Sequence, residues 1–416
     1  MKLLLPTLIA FPAIVLASGP YSQTAVVPWK PQNATSVDGS TVVNGTYYLS
    51  DRTNGIVHVV DLSSATETGS ISGFVGPHIV NGTLDKPTSG PNGLLGIPGR
   101  NELYVGDGDG SVKVVDLSSN TIVGKIQLDI MRRADEITFD SKRNLAIVTG
   151  PDDDIPSVWF ISVTDRKIVG NISFPNATNG VEKPEWNPTD GLLYLSVPET
   201  DNNPGGEVDV IDPSTFQVIK ILPEPECNTH GIIFGQSQQL LLGCSQDSIL
   251  TFNVSHTLIM DVTTGNITAT INGVGGGDGV AYDPTTNYFY VADYQNQVNG
   301  SSTGAPDPML AIINAGTGTL VQTITTDNIT AQSVAVDPVS NKLVVPIAAM
   351  GIVIYDLSNS TYTPPSTPPG TPSGTPSATG TNAPPATVSI SGAASGSLVS
   401  VVAVIGAAVV AGTLWV

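Results

Sequence analysis

Five residues able to hold a metal ion or move a proton recur at intervals of about 43 to 54 along the chain: Asn92, Asp135, Glu182, His230 and Asp278. Gln332 continues the column, and Ser36 or Asp38 begins it. Each precedes a short apolar run, and Asn92, His230 and Asp278 are each followed by glycine. Three carboxylates brought to one level would repel, and a bound divalent cation is the simplest compensation. Oxygen donors from Asp, Glu and Asn favour calcium or magnesium, while the histidine leaves zinc or manganese open. The competing reading is that these side chains merely line a wet channel.

Two connecting segments add basic groups. "GFVGPHIVNGTLDKPTSGPNG" carries His78 and Lys86, and "LDIMRRADE" carries Arg132 and Arg133, two of six arginines in the chain. Against 36 acids and 16 bases, a net charge of −20, adjacent arginines read as a clamp for a ligand carboxylate. His78 or His230 would take a proton. His58 falls at an outward-facing position of a strand and His256 follows a sequon, so neither is assigned a role. The acidity excludes nucleic acid as a partner.

A repeat must position these residues. Seven units share a second strand ("TYYLSD", "ELYVGD", "NLAIVTG", "LLYLSV", "QLLLGC", "NYFYVAD", "KLVVPI") and a third ("GIVHVVDLSS", "GSVKVVDLSS", "GEVDVIDPST", "MGIVIYDLSNS" among them). No stretch has helical periodicity. Four strands per unit at this spacing predict an all-β fold, a seven-bladed β-propeller of four-stranded antiparallel blades. The last unit lacks its fourth strand, and "TAVVPWK", Thr24–Lys30, is the donor expected to close the ring. "GDGDG" reads as a tight turn. Cys227 and Cys244, the two cysteines, fall across one hairpin and are expected to pair.

The ends read as addresses. Residues 1–17 fit a signal peptide, 18–357 the propeller, 358–390 a Ser/Thr/Pro-rich stalk, and 391–416 a GPI-anchor signal attached at Ser391 or Gly392. Sequons stand at Asn33, Asn44, Asn81, Asn171, Asn176, Asn253, Asn266, Asn299, Asn328 and Asn359. Together they predict a glycosylated extracellular monomer, held at the cell surface or wall and meeting the membrane through its anchor alone. The style is fungal.

The repeat resembles the YVTN family of propellers over residues 35–357, which implies the fold. In architecture, secretion and pocket type the chain looks like secreted fungal seven-bladed polysaccharide lyases, among them L-rhamnose-α-1,4-D-glucuronate lyases. That resemblance implies metal- or arginine-assisted β-elimination on an acidic glycan or small sugar acid. His78 or His230 would then be the base, with Arg132, Arg133 and Lys86 at the substrate carboxylate. "PNG" and "DGVAYD" are similar to segments of gluconolactonase-like propellers, which implies a metal-dependent lactonase with Asn92 and Asp278 as ligands. A non-enzymatic binding or wall propeller is the third expectation.

Overall fold

A computed structural model of the protein describes residues 19–358, Ser237 excepted. It is an all-β propeller of seven four-stranded antiparallel sheets. The expected signal peptide, Asn359, nearly all of the stalk, and Ser391 and Gly392 lie outside the described residues.

Every blade runs outward from a first strand beside the axis. In blade three the strands are Ile137–Asp140, Leu145–Gly150, Ser157–Ser162 and Lys167–Ser173. Second and third strands are buried along nearly their whole length, whereas fourth strands alternate exposed and half-buried residues, as in Thr121–Gln127. One blade face packs on the next, so the middle strands see apolar neighbours on both sides and read as continuous Val/Ile/Leu/Tyr runs. The recurring "D-x-S" after the third strand has a local cause. Asp61 accepts from the Ser63 hydroxyl at 2.6 Å and the Ser64 amide at 2.7 Å, closing the turn into the fourth strand. Those bonds pull the Asp61 carboxyl down to about 2. Asp116, Asp212 and Asp261 close their turns in the same way.

Blade seven is completed from the other end of the chain. Tyr21–Val27 pairs antiparallel with Gly351–Leu357, starting three residues before the expected strand. It stops at Pro28, which has no amide hydrogen to offer. The strand is fastened to blade six as well. The Gln322 side chain bonds both the amide and the carbonyl of Tyr21 at 2.9 Å, and the Tyr21 and Tyr290 hydroxyls meet at 2.7 Å.

Blade five departs from the all-strand expectation. A seven-residue helix, Gln246–Phe252, sits between its second and third strands. Ser245 caps it by accepting from the Asp247 amide, and Asn253 ends it in the left-handed region. Seven residues are too few to write a helical stripe. Cys227 and Cys244 form the expected disulfide across the first hairpin of this blade.

His58 is not outward-facing. It is 1% exposed, with Nδ1 2.7 Å from Glu67 and Nε2 3.0 Å from Asp51, and the Trp29 ring lies 5.7 Å away. Burial alone would lower its pKa, but the two carboxylates outweigh burial and hold it above the usual value.

Candidate functional site at the channel mouth

The first strands begin at one end of the central channel, and the recurring polar column marks that end. Asp38, Asp135, Glu182, His230, Asp278 and Gln332 line a single cavity of about 120 Å³. Asp38, rather than Ser36, is thus the blade-one member. The glycines after Asn92, His230 and Asp278 are explained by crowding at this level. A side chain at Gly93, Gly231 or Gly279 would come within 3.0 Å of the carbonyl oxygen of Asp135, Asp278 or Gln332 in the next blade.

Asn92 lies behind the wall rather than in the cavity. It is fully buried and its side-chain oxygen accepts from Arg52 Nε at 2.7 Å, while its amide donates to the carbonyls of Ser89 and Ala134. Arg52 is the residue that sequence reasoning missed. It stands just past the second strand of blade one, is 1% exposed, and also bonds the Val37 carbonyl and the Asp38 carboxylate. The signal was available, because Arg52 occupies the same repeat position as Tyr294 of blade six, another cavity residue.

The two adjacent arginines part company. Arg133 enters the cavity wall, with Nη2 3.1 Å from Asp135, Nε 2.5 Å from Asp152 and Nη1 3.8 Å from Asp38. Arg132 is exposed, donates to the Asp152 carbonyl, and faces an outer depression beside Met131 and Asp153. Lys86 reaches the mouth cavity. His78 does not; its side chain is 56% exposed on a surface loop, where Nδ1 meets the Thr88 hydroxyl at 2.6 Å. Of the two histidines expected as bases, His230 alone lines the cavity, its Nδ1 3.9 Å from Asp278.

The cations of the mouth come from one side only: blades one to three and their connections supply Arg52, Lys86 and Arg133 together with Asp38, Asp135 and Glu136, while blades four to six supply Glu182, His230, Asp278 and Tyr294. Burial pushes the Asp135 carboxyl up to about 6, although the Arg133 charge opposes it. Burial, with Asp135 and Asp278 adding like charge, holds Glu182 well above the usual carboxylate range.

This arrangement does not fit the expected divalent cation, calcium or other. Asn92 is spent on Arg52, and Asp135 and Asp38 face guanidinium groups. Among the described residues, no three acidic or histidine ligand atoms at the mouth lie within 4.8 Å of one another. The group that does meet that spacing is Cys227, Cys244 and His256, and its two sulfurs are joined to each other. Repulsion among the ring carboxylates is relieved by the arginines instead.

Nine sequon asparagines, Asn33 to Asn328, fall within the described residues; all nine are exposed and none lines the mouth. No known protein-family model matches the chain, and no curated protein matches it. Among solved structures it is similar to a chain of Kuenenia stuttgartiensis hydrazine synthase, with 15% identity over 77% of this chain and 95% of that one, at a TM-score of 0.59. Such a likeness extends to the fold alone.

Proposed function

We propose that the protein is a secreted, GPI-anchored propeller of a fungal cell surface or wall that cleaves an acidic glycan at its channel mouth by β-elimination. The observation that carries this reading is one cavity holding Lys86 and Arg133 together with His230, Asp278 and Glu182, whose carboxyl burial holds well above the usual range. The leader-like and tail-like ends, the disulfide and the exposed sequons support the address. The pocket type supports kinship with the secreted seven-bladed uronide lyases.

In this reading a uronate carboxylate sits against Lys86 and Arg133 Nη1. Their charge acidifies the neighbouring C–H. His230 takes that proton while the C–O bond to the leaving sugar breaks, a C=C bond forms, and Glu182 returns a proton to the leaving oxygen. The cations of the chain fill the place that a metal would hold, and the poor fit of the donor set to a metal sets the lactonase reading aside.

The test is release of unsaturated uronate from an acidic arabinogalactan by the secreted protein, with His230→Ala lowering the rate at least about 100-fold. Product formation untouched by His230→Ala refutes the assigned base. No product, with uronate still bound at the mouth, leaves a binding propeller.

A further inference from the structure

A second chamber lies behind the mouth. Glu136, Glu182, His230 and Asp278 line the mouth cavity and also one of about 460 Å³ within the channel, to which all seven blades contribute. The ring is therefore a waist between two chambers. Beyond it the wall changes character: Leu95, Ile137, Phe139, Trp186, Ile233 and Val280 give it broad apolar surface. Glu185 and Lys183 are set among them.

Some polar groups of this chamber are satisfied, Ser40 and Ser333 bonding each other at 2.7 Å and the Trp186 backbone amide donating to the Thr138 hydroxyl at 3.3 Å, but among the described residues four side chains are not. Trp186 Nε1 is buried without a hydrogen bond. Glu136, Lys183 and Glu185 are near enough for Lys183 to temper both acids, yet none makes an ion pair or side-chain hydrogen bond with a described residue. Burial pushes Glu185 up to about 7 and Glu136 up to about 8. Near neutral pH these carboxyls both donate and accept. An aromatic wall, a partnerless indole N–H and carboxyls of dual character suit a ligand with an apolar face and a rim of hydroxyls. Protonated acids beside a lysine suit an organic ammonium poorly.

We propose that this chamber binds an uncharged pyranose residue, packed on the Trp186 ring and hydrogen-bonded by Glu136 and Glu185. It deepens the acidic-glycan reading and rests on it in one respect, that the bound sugar is the uronate's neighbour in the same glycan.

Three probes separate the two chambers: methyl glucuronide, a neutral galactotriose, and spermine, each titrated into the full secreted protein by calorimetry and tryptophan fluorescence. Galactotriose should bind, at least tenfold more weakly to Trp186→Ala and to Glu185→Gln, and within twofold of normal to Lys86→Ala. Methyl glucuronide should show the reverse pattern, losing affinity in Lys86→Ala alone. Galactotriose that fails to bind, or that ignores both chamber substitutions, overturns the proposal; so does spermine that displaces it. Should Trp186→Ala fail to fold, Glu185→Gln decides the same question. Methyl glucuronide that does not bind while galactotriose does sinks the uronate reading and leaves the chamber standing.

Discussion

At the residue scale, the mouth is organised by Arg52, which touches almost no solvent and yet sets the charge of the site. Its guanidinium joins three anchors: the Asn92 side chain, the Val37 carbonyl and Asp38. Removing it strands Asp38 against Arg133 at 3.8 Å alone and leaves the Asn92 oxygen without its donor. Arg52→Leu should therefore cost about 3 kcal/mol of folding stability, measured by denaturant unfolding, and Asn92→Ala about 1–2 kcal/mol. If Arg52→Leu is neutral, the cluster is not what holds the mouth together. The column itself was legible in the sequence because the repeat puts one polar residue at one height in blade after blade. Its chemistry was not. Whether Asn92 is free to hold a cation or is spent on a guanidinium depends on a side chain 40 residues away, and spacing alone carries no record of that contact.

At the scale of elements, legibility follows how local the cause is. Second and third strands, the Asp-x-Ser turns and the "GDGDG" turn are written in consecutive residues, and the structure has them where expected. The Gln246–Phe252 helix is too short to announce itself, and His58 was misplaced because a third strand here has no outward face. The His58 contacts have a consequence for pH. A pKa raised above about 6.5 means the folded chain binds this proton more tightly than the unfolded chain. The stabilisation is complete below about 6.5 and is lost as pH rises through the folded value. His58→Gln should thus lower the melting temperature more at about pH 5.5 than at about pH 9. An equal drop at both would show that His58 contributes packing under Trp29 and no charge. The disulfide belongs to this scale too, fastening the first hairpin of the blade that the Gln246–Phe252 helix interrupts.

At the scale of the molecule, the ring must be closed. An open propeller leaves Gly351–Leu357 as an unpaired edge, an invitation to pair with another chain. Tyr21–Val27 covers that strand and binds blades six and seven together, while the indole nitrogen of Trp29 donates to the carbonyls of Ile347 at 3.2 Å and Ala348 at 3.0 Å. Closure also fixes the width of the channel, since both chambers are bounded by blades that only a complete ring holds in register. A mature chain that begins after Trp29 should melt at least about 10 °C lower and form dimers or larger species through the bared edge. A synthetic peptide of residues 19–30, added in excess, should restore the monomer and raise the melting temperature in proportion to the logarithm of its concentration. The shortened chain that stays monomeric and melts normally would show the ring to be closed by blade-to-blade packing, with the N-terminal strand a covering piece. Rescue by the peptide, by contrast, would tie the stability of the channel, and with it the geometry of the mouth, to one borrowed strand.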